Sequence, residues 1–247
     1  MKISLTILLS LLCSTLLHAQ KTEVSIQANS GLFRYSGTAA TSYSPSTEAS
    51  PYGQDYFNNP YGSKNSISYS GDIQVQHVDK KGFIAGIQAG YEILRSVVGI
   101  NGYFPSYYFY PGFNIAFSQG APQPATGQDV LVNQTINISP YIGYRLQIKK
   151  IRLDLLPGIS LGFNINSYDK WKGTDNNSGI IFQGNTKLAD APMDLQLKFA
   201  SVAYYNKWGI TVSYAHGLTN LNKYMYGYLN STAHSELLSF GIAYKIL

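Results

Sequence analysis

Alternation with a period of two runs through most of the chain, as expected of strands with one apolar and one polar face. In "WGITVSYAHG", Trp208, Ile210, Val212 and Tyr214 share one face, while Gly209, Thr211, Ser213, Ala215 and Gly217 share the other. Near the C-terminus, Leu238, Phe240, Ile242, Tyr244 and Ile246 stand opposite Ser239, Gly241, Ala243 and Lys245. "KKIRLDLLPGISLGFNIN" sets Ile151, Leu153, Leu155, Ile159, Leu161 and Phe163 against Arg152, Asp154, Leu156, Gly158, Ser160, Gly162 and Asn164. Ile136, Ile138, Ile142, Tyr144 and Leu146 form another apolar row, and Met193, Leu195, Leu197 and Phe199 one more. Phe83, Ala85, Ile87, Ala89, Tyr91 and Ile93 face away from Gly86, Gln88, Gly90 and Glu92. Val24, Ile26 and Ala28 open a first strand.

The pattern predicts eight strands, at about 22–35, 82–94, 97–117, 134–147, 150–166, 191–205, 208–218 and 234–246. Pro105 and Pro111 interrupt the third, where each removes a ladder donor. Short turns are expected near Arg95-Ser96, Gln147–Lys149 and Asn206-Lys207, and long polar loops at 36–81, 118–133, 167–190 and 219–233. Short turns at one end and long loops at the other are the layout of an outer-membrane β-barrel.

The chain begins "MKISLTILLSLLCSTLLHAQ", with a basic Lys2, an apolar core and a small residue before Gln20. That layout predicts a signal peptide over 1–19, cleaved after Ala19, and a barrel domain over 20–247. The alternative, an uncleaved anchor, is short against the span of about 20 residues that a membrane helix needs. Cys13 is the only cysteine, so cleavage leaves no disulfide, thiolate metal site or cysteine nucleophile. Charged residues make up 13% of the chain, about half the usual share in soluble domains. No segment after the leader is a long uncharged apolar run, which excludes helical spans. The net charge of +5 is not gathered into a dense basic cluster, so no nucleic-acid partner is expected.

Two architectures fit alternating strands. A soluble barrel or sandwich turns the apolar rows inward, and a membrane barrel turns them to lipid. The polar rows decide. A water-facing row would be rich in Lys and Glu, but these rows are mostly Gly, Ser, Ala, Thr, Asn and Gln. Small side chains suit the cramped interior of an eight-stranded barrel. Trp208, Tyr107, Tyr108 and Tyr110 suit interfacial girdles. The expectation is an all-β, eight-stranded antiparallel up-and-down transmembrane barrel in contact with outer-membrane lipid.

Glu92, Arg145, Arg152, Asp154, Asp194 and Lys198 then point into the lumen. Both signs are present, so a network of ion pairs and hydrogen bonds that plugs the barrel is expected. A narrow channel for small solutes is the alternative. The match Gly158-Ile159-Ser160-Leu161-Gly162 to a nucleophile elbow lacks the strand–turn–helix context that presents the serine, and space-filling explains it. His216, His234 and Glu236 gather near the outer rim, the ground for a lipid-hydrolysing or proteolytic alternative. Ser235 falls on the opposite face, so no catalytic residue is assigned. No cofactor or metal motif is present, and the sequon matches at Asn133, Asn137 and Asn230 read as chance.

"GFIAGIQAGYEILRS", "ISPYIGYRL", "GITVSYAHGLTNL" and "SELLSFGIAYKIL" together resemble the PorT-like bacterial outer-membrane β-barrel family, over about Gly82 to Leu247. The resemblance implies an outer-membrane barrel, with some relatives linked to protein secretion, and offers no catalytic residues. It implies insertion by the outer-membrane assembly machinery, although the outward row ends at Ile246 rather than at an aromatic residue. A secretion system or an extracellular ligand would be met through loops 36–81 and 167–190.

Overall fold

β1 pairs with the last strand as well as with the next one, which closes the sheet into a barrel. The computed structural model describes residues 21–47, 56–57, 59–104, 107–109, 116–118, 121–188, 192–222 and 231–247. The expected signal peptide and Tyr110 lie outside these residues, and the girdle side chains of Tyr107 and Tyr108 are likewise not described. The barrel strands are β1 (Lys21–Ser36), β2 (Ser66–Val78), β3 (Phe83–Phe104) and β4 (Gln123–Ile148). They continue as β5 (Ile151–Asp175), β6 (Asp194–Tyr205), β7 (Trp208–Gly217) and β8 (His234–Lys245). Each runs antiparallel to the next, and Ile26 faces Tyr244 where β8 meets β1.

The strand number matches the expectation through two compensating differences. The turn expected at Arg95-Ser96 does not form: β3 runs straight through it, with Arg95 opposite Val132 and Ser96 opposite Leu131. Arg95 is exposed, whereas Ser96 is fully buried and accepts the Gly62 N–H at 2.7 Å. The polar pair marks a change of surroundings along one strand rather than a reversal. The missing strand, β2, lies inside the expected 36–81 loop. Its outward Ile67, Tyr69, Ile73 and Val75 alternate with inward Ser68, Asp72, Gln74 and Gln76, a lumen row polar enough to pass for loop. Direction changes accordingly, since β3 runs away from the short-turn end.

The turn that this correction exposes is Asp79–Gly82. Asp79 Oδ1 accepts the backbone N–H of Lys81 at 2.8 Å and of Phe83 at 2.7 Å. Gly82 closes the turn at a φ of +90°, a conformation open chiefly to glycine. With the two-residue connections at 149–150 and 206–207 it puts every short turn at one end. The expected 118–133 and 167–190 loops also shrink, because β4 begins at Gln123 and β5 continues to Asp175. A further strand, Ile181–Lys187, lies against β5, and Tyr43–Thr47 runs parallel to β3.

Burial is inverted relative to a water-soluble protein. Ile142, Ile210 and Ile242 are 59%, 68% and 57% exposed, whereas Glu23, Gln74 and Asp154 are 1%, 2% and 0% exposed. A continuous belt of exposed isoleucine, phenylalanine and tyrosine far exceeds the apolar patches that soluble monomers tolerate. Lipid is the solvent that makes it stable, and a closed barrel leaves no backbone edge unpaired in that solvent. The belt has a visible outer edge. On β5 the outward row is apolar from Ile151 to Ile165 and then turns to Tyr168, Lys170 and Lys172. On β3 it runs from Phe83 to Ile93 and then reaches Arg95. β3, β4 and β5 continue past that edge as a blade whose inner side packs Val98, Ile100, Tyr103, Trp171 and Phe182. The rings of Tyr103 and Phe182 stack at 4.3 Å.

Candidate functional site

The lumen is built in layers. At the short-turn end, Glu23 is held by Arg145, whose Nη1 donates to Oε1 at 2.9 Å and Nη2 to Oε2 at 2.7 Å. Lys245 Nζ donates to Oε2 at 2.5 Å and also sits 3.9 Å over the Tyr204 ring. Arg145 reaches on to Asp154, with Nε donating to Oδ1 at 2.6 Å and Nη2 to Oδ2 at 2.7 Å. Gln76 Nε2 bridges both carboxylates, at 3.0 Å to Glu23 and 3.2 Å to Asp154. Arg152 stands at the mouth, 3.9 Å from Glu23 and donating to the Asn206 carbonyl. Strand parity makes the cluster: alternate residues of β1, β4, β5 and β8 arrive at one height.

Packed against it is an apolar collar of Ile84, Tyr141, Leu156, Val202 and Tyr204, with Val202 opposite Asp154 in the sheet. Tyr141 ties the collar to its neighbours, accepting from Gln74 Nε2 at 2.6 Å and donating to Gln76 Oε1 at 3.2 Å. The next layer is amide-rich. Gln27 donates to Gln74 at 2.6 Å, Lys198 Nζ to Gln88 at 3.2 Å, and Asn29 to Asp72 at 2.8 Å. Glu92 lines the same layer, 8% exposed. The void left there is about 20 Å³, room for about one water. Higher still, Asp194 Oδ2 accepts from Ser235 Oγ at 2.5 Å and Gln196 Nε2 at 2.7 Å.

Of the six residues picked from sequence, the structure joins Arg145 directly to Asp154 and places Arg152 beside Glu23, the other carboxylate that Arg145 holds. Glu92 and Lys198 share the amide layer, and Asp194 belongs to a separate one. Glu23 and Lys245 were not picked, although alternation with Val24 and shared parity with Ala243 put both inside. Asp72, Gln74 and Gln76 went unseen with β2. Ser160 is buried in β5 and accepts from Ser139 at 2.8 Å, so it fills space. His216 lies 3.6 Å from Glu236, which accepts from Arg34 Nε at 2.7 Å, while Ser235 points inward to Asp194. The rim histidines and the serine stay on opposite faces of the wall.

Beyond the membrane belt, the blade buries two carboxyls. Asp129 and Asp169 are 0% and 3% exposed, and their carboxyl groups neighbour each other. Burial pushes both groups up, and for Asp129 the neighbouring Asp169 charge adds to it, so the pair retains a proton near neutrality. An acid raised on folding contributes stability that is complete below its unfolded value and declines as pH rises from there through the folded one. Asp129→Asn should therefore stabilise the blade by about 1–2 kcal/mol at pH 8 and change little at pH 4. Amide exchange over residues 126–132 reads this, and an equal effect at both pH values would contradict it.

No protein-family model matches the chain, and no curated protein matches it. Among solved structures, Ail, the attachment invasion locus protein of Yersinia pestis, is 10% identical, with 92% of this chain and 100% of Ail covered at a TM-score of 0.34. Neisserial surface protein A is 10% identical, with 91% and 99% covered and a TM-score of 0.34. The outer membrane protease OmpT from Escherichia coli is 11% identical, with 91% and 96% covered and a TM-score of 0.33. Likenesses at this level decide nothing about activity. The chain's own geometry carries the assignment: an apolar exterior, a polar lumen, and short turns at one end with long connections at the other. It is an outer-membrane β-barrel.

Proposed function

We propose that this barrel is a non-conducting, non-enzymatic surface protein whose blade and outer connections engage a partner outside the cell. The observation that carries this reading is the lumen, filled layer on layer from Glu23 to Asp194, with only about 20 Å³ free in its amide layer. The ion cluster closes the short-turn end, and the collar packed against it narrows what is left of the bore. The blade supports a binding role, because three strands extended past the membrane on a packed apolar core hold a rigid platform at the surface. A role beside a secretion system, as the PorT-like resemblance implies, would use the same platform.

Planar-bilayer recording of the purified chain tests the reading. The plugged barrel shows no steady open level at any holding voltage, whereas a steady, ion-selective open level would establish the narrow-channel alternative.

A further inference from the structure

Above the Asp194 layer and below the blade, the barrel holds a partly open chamber of about 270 Å³. Its apolar wall is formed by Phe33, Tyr35, Tyr61, Leu94, Leu131 and Leu221, and polar side chains such as Asn133 and Asn164 complete the lining. The three rings form a fixed corner: Phe33 meets Tyr35 edge to face at 5.0 Å, and Tyr35 meets Tyr61 the same way at 5.0 Å. Both hydroxyls are engaged, Tyr35 accepting from Asn133 Nδ2 at 2.7 Å and Tyr61 donating to the Leu221 carbonyl at 3.0 Å. The rings therefore present π-faces and edges to the chamber from positions that are already set.

The floor is different in kind. Asp194 is 9% exposed and lines the chamber, and its Oδ1 has no hydrogen-bond donor among the described residues. No lysine, arginine or histidine among the described residues comes within ion-pair distance of it. On the outer face of the wall, Arg34 and the His216 ring are both engaged by Glu236. A carboxylate oxygen left unpaired beneath an aromatic corner is a costly arrangement for an empty protein. It is a favourable one for an organic cation, which gains an ion pair below and ring faces beside it.

We propose that this chamber binds a small primary ammonium with an apolar body, its nitrogen on Asp194 Oδ1 and its body against Phe33, Tyr35 and Leu131. Volume sets the size. A cavity of about 150 Å³ holds benzene, so 270 Å³ fits one ring and a short ammonium arm. The chamber lies above the packed layers, so occupancy and conduction are separate readouts, and either reading can fail without the other.

The test is titration calorimetry of the full barrel in lipid nanodiscs with 2-phenylethylammonium, against 2-phenylethanol and 3-phenylpropanoate as neutral and anionic matches. The ammonium should bind saturably at one site, with the alcohol about tenfold weaker or worse and the acid without measurable binding. Leu131→Trp, which fills the chamber from the wall, should abolish binding. Asp194→Asn should weaken the ammonium about tenfold and leave the alcohol unchanged. Heat-modifiable gel mobility confirms that each variant is a closed barrel; if Asp194→Asn does not close, Leu131→Trp and the ligand series decide. Absence of saturable binding, equal affinity for ammonium and alcohol, or full binding by Leu131→Trp would overturn the proposal.

Discussion

Arg145→Met should cost the barrel about 3–5 kcal/mol, the penalty for leaving buried charge uncompensated. Arg145 makes four of the hydrogen bonds that hold Glu23 and Asp154. Without it Glu23 keeps Lys245 and Gln76, but Asp154, with 0% exposure to water, keeps only Gln76 among the described residues. The expected loss is therefore centred on Asp154. Adding Asp154→Asn to Arg145→Met should recover a good part of it, because the second change removes the stranded charge. Urea titration of the barrel in lipid vesicles reads both variants. A loss below about 1 kcal/mol would mean that water reaches the cluster and that the short-turn end is open.

Ile159→Arg should cost about 2–4 kcal/mol, the range for an arginine facing lipid at mid-bilayer. Ile159 is 41% exposed and lies near the middle of the outward apolar run from Ile151 to Ile165. The same change at Ile165, next to the point where the row turns to Tyr168 and Lys170, should cost about 0–1 kcal/mol. The contrast between the two positions is the informative quantity. Equal costs would place the belt elsewhere on the strand, and no cost at either would remove the lipid from that face.

Much of this architecture was legible because a barrel wall forces one side chain in two toward each solvent. β7 and β8 stand almost where their alternation put them, and the inward placement of Asp154 follows from its alternation with Leu153 and Leu155. β2 was hidden for a physical reason. Its apolar row is broken at Gly71, and its other row of Ser68, Ser70, Asp72, Gln74 and Gln76 is polar because it serves a polar lumen. Serine and glutamine in that density resemble a loop continuing from the proline- and asparagine-rich stretch before it. Arg95-Ser96 misled in the opposite sense, because leaving the membrane changes outward residues to polar without ending the strand.

Contacts between layers were beyond the pattern altogether. Parity says that Glu23, Arg145 and Lys245 face inward, but only the register of β8 on β1, with Ser25 opposite Lys245, brings them to one height. The outer chamber was equally silent. Phe33, Leu94 and Leu131 are apolar residues on inward rows, an arrangement that alternation alone would count as error.

The central claim is that apolar rows meet lipid while polar rows fill the barrel, and a nitroxide scan along residues 236–245 tests it most directly. The chain's single cysteine, Cys13, lies far from these positions in sequence and is easily replaced, so each site can be labelled alone. Labels at 238, 240 and 242 should be accessible to oxygen dissolved in the bilayer, and labels at 239, 241 and 243 should be shielded from it and immobilised. The opposite phase, or uniform access of a water-soluble relaxant to 238, 240 and 242, would contradict the account.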